Sequence, residues 1–209
     1  QGAFSLLMIT PNEMIAARDP HGIRPFVIGK LNDTFIFASE TCALDLLGAE
    51  FIRDVNPGEI IVINDDGMKS RQYTDATTPK HCIFEYIYFS RPDSHIFGEN
   101  VDKVRRKFGK TLSDEKPADT ADMVISVPDS SNTCAIGYSR TSGIKHEIGL
   151  IRNHYVGRTF IFPTQFLRDL SVRLKFNTVK GVIEGKEVVI IDDSIVRGTT
   201  LKKLVKLLR

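Results

Sequence analysis

The sequence predicts two parts of different architecture: an α+β part with packed antiparallel sheets, then an α/β part with a parallel sheet and helices on both faces. The first 75 residues contain short strand-like runs separated by turn residues, which is typical of antiparallel sheets. From residue 99 onward, short apolar strands alternate with helices, which favours a parallel sheet. We therefore divide the chain into residues 1–75, a connector at 76–98 and a second part at 99–209.

The composition is that of a folded protein that can bury a core. Of the 209 residues, 42% are hydrophobic and 26% are charged, and 28 Lys and Arg stand against 26 Asp and Glu. This balance argues against a general nucleic-acid-binding surface, and no apolar run approaches the ~20 residues that cross a membrane. Three cysteines without a C-x-x-C pattern, together with the lack of an export signal, favour a reducing, cytoplasmic compartment.

In the first part, short apolar runs predict four strands, and each run is followed by turn-forming residues. These strands are expected at residues 3–9, 26–28, 34–38 and 59–63. A helix is expected at residues 39–47, with Ser39 as its N-cap and Gly48 as its stop signal.

In the second part, the alternation of elements continues to the last residue. Helices are expected at residues 101–112 and 133–142, strands at 123–127, 147–151 and 188–191, and a final helix after residue 198. The sequence begins without Met, and the apolar stripe of the last helix has no stop signal after it. We therefore expect both ends to be truncations of a longer protein.

The most informative segment begins with a strand at residues 188–191, VVII, whose branched apolar residues do not alternate with polar ones. Asp192 and Asp193 follow where this strand leaves the sheet, and a turn rich in Ser, Gly and Thr leads into the last helix. Ligands of open parallel sheets bind beyond the carboxyl ends of the strands. The turn offers N–H groups and hydroxyls to a phosphate, and the carboxylates suit hydroxyls or a Mg²⁺ brought by the ligand.

This segment has two other interpretations. One is an Asp-Asp turn that caps a helix and binds no ligand, which would be the first choice for an isolated D-D-S. The other is the Walker B strand of a nucleotide triphosphatase, which requires a G-x-x-x-x-G-K-[ST] motif elsewhere. The nearest candidate, at residues 109–111, has Val104 where the first Gly must stand, and this excludes the Walker interpretation.

Residues 191–200 read IDDSIVRGTT and resemble the phosphoribosylpyrophosphate (PRPP) motif of type I phosphoribosyltransferases. The ending SIVRGTT is similar to that of amidophosphoribosyltransferases in particular. Residues 18–25 and 38–45 resemble the later glutaminase domain of that family, and residues 84–94 resemble its interdomain segment. Residues 127–131 resemble its pyrophosphate-side loop, and residues 153–161 resemble the start of its flexible active-site loop.

The resemblance implies a fold and a reaction. The fold is the C-terminal part of an N-terminal-nucleophile glutaminase sandwich, followed by part of a type I phosphoribosyltransferase sheet. The family transfers an amino group from glutamine to PRPP, which gives 5-phosphoribosylamine, glutamate and pyrophosphate in the first committed step of purine synthesis. Mg²⁺ would neutralise the pyrophosphate as it departs.

The resemblance also implies roles for individual residues. Asp192 and Asp193 are expected to hold the ribose hydroxyls and Mg²⁺, and Ser130 is the matching third magnesium position. The 5-phosphate is expected to bind Ser194, Ile195, Val196, Arg197, Gly198, Thr199 and Thr200.

Residues 152–178 form a long basic segment that includes Tyr155, Arg158 and Thr159 of the loop resemblance. We expect this segment to close over PRPP and exclude water, which competes with ammonia as the nucleophile. A solvated loop is the alternative. His154 departs from the family pattern, which usually has a basic residue at that position.

Cys82 precedes the sequence IFEYIYF, where one subgroup of the family places a ligand of a structural [4Fe–4S] cluster. Another subgroup has Cys there without a cluster, so both possibilities stay open. The other three ligands are expected beyond Arg209. Cys42 and Cys134 are expected in the core.

The catalytic cysteine and the glutamine pocket of the family are expected before Gln1, so we expect no glutaminase activity from this chain alone. Purine nucleotides as inhibitors and a homo-oligomeric state are implied, and neither nucleic acid nor membrane is expected as a partner.

The whole chain has two alternative functions. A base-linked phosphoribosyltransferase would leave residues 1–75 without explanation. A PRPP- or nucleotide-sensing regulator of the same fold, without catalysis, is the alternative from another functional class.

Overall fold

The computed structural model describes residues 2–75, 78–153, 174–196 and 198–209, with the side chains of Thr199 and Thr200 outside the description. The predicted loop residues Tyr155, Arg158 and Thr159, and the predicted phosphate ligand Arg197, therefore lie outside the described residues. The chain divides into two compact units, Gln1–Lys103 and Val104–Arg209.

The first unit contains two main antiparallel sheets, which confirms the sheet type expected for this part. The four-stranded sheet has the order β1 (Ser5–Ile9), β2 (Met14–Arg18), β6 (Glu59–Asn64), β7 (Gly67–Gln72). The three-stranded sheet has the order β4 (Thr34–Ala38), β3 (Val27–Leu31), β5 (Glu50–Asp54). All neighbouring pairs in both sheets are antiparallel.

One apolar core of this unit takes side chains from both sheets. Ala16 of β2 and Ile61 of β6 come from the four-stranded sheet, and Phe37 of β4 packs against the same cluster. Phe26 and Val55, which flank β3 and β5, complete it. Burial of this shared apolar surface joins the two sheets into one unit.

The predicted helix at residues 39–47 is α1 (Thr41–Leu47), and the prediction that Ser39 caps it is wrong. Glu40 occupies the N-cap position without a side-chain capping bond. Its Oε2 instead accepts hydrogen bonds from the Ser94 hydroxyl at 2.7 Å and the Arg91 N–H at 2.8 Å. The predicted stop is confirmed, because Gly48 has φ 67° and its N–H bonds to helix carbonyls.

The strand predicted at residues 26–28 continues through Gly29 to Leu31, so Gly29 does not end it. A Cβ placed on Gly29 would come within 2.7 Å of the Glu50 carbonyl oxygen and within 2.9 Å of the Leu44 side chain. The glycine therefore allows β3 to approach β5 and α1 closely, which is a packing role and not a turn role.

The connector predicted at residues 76–98 contains regular structure. A π-helical turn spans Glu85–Phe89, and β8 (His95–Ile96) pairs antiparallel with β9 (Glu99–Asn100). The next element, α2 (Val101–Glu115), contains the division between the two units.

The second unit has a short parallel sheet. Strands β10 (Met123–Ser126) and β13 (Val188–Ile191) pair in parallel, with Ser126 opposite Ile191. Strand β11 (Leu150–Arg152) overlaps the strand predicted at residues 147–151, and it pairs antiparallel with β12 (Phe176–Thr178), which the sequence did not predict. The helices of this unit, after α2, are α3 (Asn132–Ser142), α4 (Lys180–Ile183) and α5 (Thr199–Leu208).

Helices cover both faces of the parallel strands, as predicted. Met123 and Ile125 of β10 pack in a cluster with Leu204 of α5. Val124 of β10, on the opposite face, packs in a cluster with Tyr138 of α3. Alternate residues of β10 thus point into two separate cores, as the period of two along a strand requires.

Candidate functional site

The two turns that carry the predicted ligands begin side by side. The Val127 N–H donates to the Ile191 carbonyl at 2.9 Å, just where β10 and β13 end. Residues 127–131 lead from β10 into α3, and residues 192–198 lead from β13 towards α5. Because β10 and β13 are parallel neighbours, their carboxyl ends place both turns at the same edge of the sheet.

Side-chain hydrogen bonds connect these turns. The Ser130 hydroxyl donates to Asp193 Oδ2, and the Ser131 hydroxyl donates to Asp192 Oδ1 at 3.4 Å. The Ser194 hydroxyl donates to the other oxygen of Asp193 at 2.6 Å. The structure therefore brings together Ser130, Asp192 and Asp193, the three residues predicted to hold Mg²⁺.

The Asp192 carboxyl lies in a partly buried environment next to a second carboxyl. Burial raises the pKa of Asp192 above its ordinary value, and the nearby Asp193 charge also raises it. Hydrogen bonds from the Asp193 N–H and the Ser131 hydroxyl, with the Lys175 charge, act in the opposite direction. A cation bound beside Asp192 and Asp193 would also stabilise their charged forms.

The donor chemistry of this cluster fits Mg²⁺. That ion takes oxygen ligands, keeps several waters and is usually bound through one or two carboxylates together with substrate phosphates. Two carboxylates and one serine hydroxyl meet this description. Among the described residues, no three His, Cys, Asp or Glu side chains form a ready-made metal site.

The segment predicted to hold the 5-phosphate is accessible. Ser194, Ile195 and Val196 are exposed, and the last two expose apolar side chains. Gly198 follows with φ 67° at the N-cap of α5, and its carbonyl accepts the Lys202 N–H at 2.9 Å. Gly198 therefore leads directly into a ten-residue helix, and the start of such a helix suits an anion.

Two residues that were not predicted as ligands, Arg152 and Asp129, form an ion pair at the same edge of the sheet. Arg152 at the end of β11 donates from Nη1 to Asp129 Oδ2 at 2.9 Å, which ties the turn after β10 to a third strand. Arg152 begins the basic segment at residues 152–178, and Asp129 belongs to the 127–131 resemblance. Only the strand arrangement could have paired them, because they are 23 positions apart.

All three cysteines are free thiols, and all three are half-buried. Cys82 is held by its backbone, since its N–H donates to the Ile23 carbonyl at 2.9 Å. Cys42 lies in the same unit, whereas Cys134 lies in the other. A [4Fe–4S] cluster takes four thiolates, so the described residues do not by themselves fit a complete cluster site.

A pocket of about 460 Å³ lies in the first unit, and none of the predicted ligands lines it. Arg24, Glu85 and Phe89 line this pocket together. The Arg24 Nε pairs with the buried Glu85 carboxylate at 2.7 Å, and the Arg24 guanidinium lies over the Phe89 ring at 4.6 Å. The other lining residues are Ala3, Phe4, Ser5, Pro25, Ser39 and Glu40. None of them was predicted as a site residue.

Two motif residues of the first unit, His21 and Arg18, make hydrogen bonds that hold a turn. His21 lies in this turn, where its N–H donates to Asp19 Oδ1 at 3.0 Å. Arg18 is buried and donates to the carbonyls of Val55, Gly22 and Arg24, so it fastens the turn to the sheet. Across the described ranges, no helix combines the length and the hydropathy of a transmembrane span.

The beginning of the chain matches a known domain family. The family model described as a glutamine amidotransferase domain matches residues 1–46. This chain is similar along its full length to amidophosphoribosyltransferases, which confirms the resemblance drawn from its motifs. The protein of Bacillus subtilis (strain 168) is 53% identical over 209 residues, which are 100% of this chain and 44% of that protein. A chloroplastic protein of Arabidopsis thaliana, amidophosphoribosyltransferase 2, is 52% identical over 210 residues, 100% of this chain and 37% of that protein.

The solved structures agree with the sequence comparison. A glutamine PRPP amidotransferase from B. subtilis, complexed with ADP and GMP, matches with a TM-score of 0.92 and 53% identity. That match covers 100% of this chain and 46% of the solved chain. A structure described as the allosteric regulatory enzyme of purine biosynthesis also matches with a TM-score of 0.92 and covers 44% of its chain. The present chain thus spans less than half the length of these relatives.

Proposed function

We propose that the protein containing this chain transfers the amide nitrogen of glutamine, as ammonia, to PRPP. The products would be 5-phosphoribosylamine, glutamate and pyrophosphate, in the first step of purine synthesis. One observation carries the proposal: Ser130 and Ser131 of one turn donate hydrogen bonds to Asp193 and Asp192 of the next, at the carboxyl ends of parallel strands. The proposal is supported by the similarity of the whole chain to amidophosphoribosyltransferases.

In this proposal the residues of the second unit bind and orient PRPP. The Asp192 and Asp193 carboxylates accept hydrogen bonds from the ribose hydroxyls, and Ser194 through Thr200 surround the 5-phosphate with N–H groups at the start of α5. Asp192, Asp193 and Ser130 would hold Mg²⁺, which neutralises negative charge on the pyrophosphate leaving group. Tyr155, Arg158 and Thr159 would belong to a segment that closes over the substrate and excludes water.

The first unit would be part of the glutaminase. Its two antiparallel sheets share one core, as a sandwich does. We assign residues 1–75 to the later part of an N-terminal-nucleophile glutaminase domain, and the amidotransferase match at residues 1–46 supports this. The nucleophile and the glutamine pocket would come from other residues of the protein.

Further parts of the proposal concern regulation and assembly. We propose purine nucleotides as inhibitors, because a similar protein was solved as a complex with ADP and GMP. We also propose a homo-oligomer in the cytoplasm, although two plant relatives are named chloroplastic. Cys82 would be one ligand of a [4Fe–4S] cluster only if the rest of the protein supplies three more.

The decisive experiment removes the charge of both aspartates in the intact protein. We expect Asp192→Asn with Asp193→Asn to weaken binding of Mg²⁺–PRPP by at least about 100-fold, because several charge-assisted hydrogen bonds are lost. The measurement is isothermal titration with PRPP in the presence of Mg²⁺. The matched control is Asp65→Asn with Asp66→Asn, an adjacent pair in the exposed turn between β6 and β7.

Normal PRPP affinity in the 192/193 variant would contradict the assignment of the site. A second assay measures pyrophosphate release from PRPP with ammonia as the nucleophile. Release by the wild-type protein supports an enzyme, whereas PRPP binding without release would instead support a sensor of the same fold.

A further inference from the structure

Ser131 stands at the N-cap of α3, yet its hydroxyl does not cap the helix. A serine at this position normally accepts a hydrogen bond from an N–H in the first turn, and losing that bond costs about 0.5–2 kcal/mol. In α3 the hydroxyl donates instead to Asp192 Oδ1 at 3.4 Å, across the gap between the two turns. The helix therefore lacks the usual side-chain capping bond, and the Ser131 hydroxyl bonds to the predicted ligand residue Asp192.

Ser131 is buried, and its backbone is held by hydrogen bonds on both sides. Ser131 has 0% exposure. Its N–H donates to the Val127 carbonyl at 3.4 Å, and its own carbonyl accepts the Ala135 N–H at 2.9 Å. The backbone of Ser131 is thus held by Val127, just after β10, on one side and by α3 on the other.

The two oxygens of the Asp192 carboxyl differ in their hydrogen bonds. Asp192 Oδ1 accepts both the Ser131 hydroxyl and the Asp193 N–H, the latter at 2.9 Å. Among the described residues, Asp192 Oδ2 accepts no hydrogen bond from the protein. Asp193 differs, because the hydroxyls of Ser130 and Ser194 occupy Oδ2 and Oδ1 respectively.

From this asymmetry we propose that Ser131 is a positioning residue: it holds Asp192 Oδ1 so that Oδ2 stays free for the ribose hydroxyls or the metal of PRPP. The inference rests on the proposed function and adds a residue to it. Ser131 does not touch the ligand and acts through Asp192. A second residue that orients a ligand-binding group in this way is a common requirement of precise sites.

The first arm of the test measures PRPP binding by the intact protein. Ser131→Ala is expected to raise the dissociation constant and the KM for Mg²⁺–PRPP about tenfold, the loss of one hydrogen bond to a charged group. The value of kcat is expected to stay within about twofold, because ground-state and transition-state binding weaken together. Ser139→Ala is the matched control, since this hydroxyl lies on the same helix and donates to the Ile144 carbonyl at 2.6 Å.

The second arm separates a hydroxyl from mere space filling. Ser131→Thr keeps the donor, although it adds a methyl group at a buried position. We expect it to bind PRPP more tightly than Ser131→Ala. Equal weakening by the two substitutions would overturn the proposal, because the side chain would then matter through packing alone.

The third arm tests whether Ser131 acts through Asp192. A double-mutant cycle combines Ser131→Ala with Asp192→Ala, which removes the acceptor oxygen, and measures the unfolding midpoint of the ligand-free protein. Non-additive effects support the contact, and additive effects overturn it. The 192/193 variant keeps the two proposals distinct: if it binds PRPP normally, the proposed function fails, whereas normal binding by Ser131→Ala alone removes only the positioning role.

Discussion

His146 is held beside β10 in an environment that does not suit a charged ring. Its backbone bridges to Val124, and its Nε2 is buried without a hydrogen-bond partner in the described part of the chain. Burial lowers the pKa of His146 below its ordinary value of 6.5, and the Glu147 charge only partly opposes this. Below that value the unfolded chain therefore binds a proton that the folded chain resists, so the free energy of unfolding falls as the pH falls.

We expect His146→Gln to remove part of this pH dependence. The measurement is urea unfolding of the intact protein between about pH 5.5 and 7.5, the range in which histidine titrates. The wild-type protein should lose more stability on acidification than the variant does. His21→Gln, at a turn of the other unit, is the control, and an unchanged pH dependence in His146→Gln would contradict the prediction.

At the site itself, the sequence predicts those residues whose chemistry is local. Asp192 and Asp193 follow an apolar strand directly, so their place at a sheet edge can be inferred from residues 188–193 alone. The roles of Ser131 and Arg152 cannot be inferred in this way. They depend on which strand ends lie side by side, and Ser131 meets Asp192 across 61 positions of sequence.

The elements α2 and α3 approach so closely that their backbones touch at two glycines. A Cβ placed on Gly109 of α2 would overlap the carbonyl oxygen of Cys134 in α3. A Cβ placed on Gly137 of α3 would overlap the carbonyl oxygen of Arg106 in α2. Because both obstacles are backbone atoms, the helices must separate to accept any side chain. This packing positions the helix that begins with Ser131.

Gly109→Ala is therefore expected to destabilise the second unit, although alanine is the better helix former by about 1 kcal/mol. Overpacking costs about 1–3 kcal/mol and outweighs that gain. Gly181→Ala in α4 is the matched control, because a Cβ there meets nothing within 4 Å. Thermal unfolding should show a lower midpoint for Gly109→Ala and an unchanged or higher one for Gly181→Ala; the reverse order would show that the helices adjust freely.

Continuous apolar runs predicted several strands, but β2 (Met14–Arg18) and β5 (Glu50–Asp54) were not predicted. The bounds of β4 and β13 match the prediction, because each is a continuous apolar run. Strand β7, with the sequence GMKSRQ, was missed since nearly all its residues are exposed. Only its pairing with β6 identifies it. The N-cap of α1 was missed for a similar reason, because Glu40 bonds to residues more than 50 positions away.

The whole chain consists of two units with separate apolar cores. Ile61 and its neighbours form a core in Gln1–Lys103, whereas Ile125 and its neighbours form one in Val104–Arg209. The sequence pattern changes from short strand-like runs to alternating strands and helices, and this change predicts two kinds of architecture. The exact point of division is less visible, since α2 is a continuous helix with no break in its pattern.

Separate cores imply that a cavity in one unit should weaken mainly that unit. Ile61→Ala and Ile125→Ala each remove a fully buried side chain, and such truncations cost about 2–5 kcal/mol. Native-state hydrogen exchange on the intact protein can locate the effect, because amide protection reports local opening free energies. We expect Ile61→Ala to lower protection in β2 and β6, and Ile125→Ala to lower it in β10 and β13. Each variant serves as the control for the other, and an equal loss of protection in both units for either one would show that they open together.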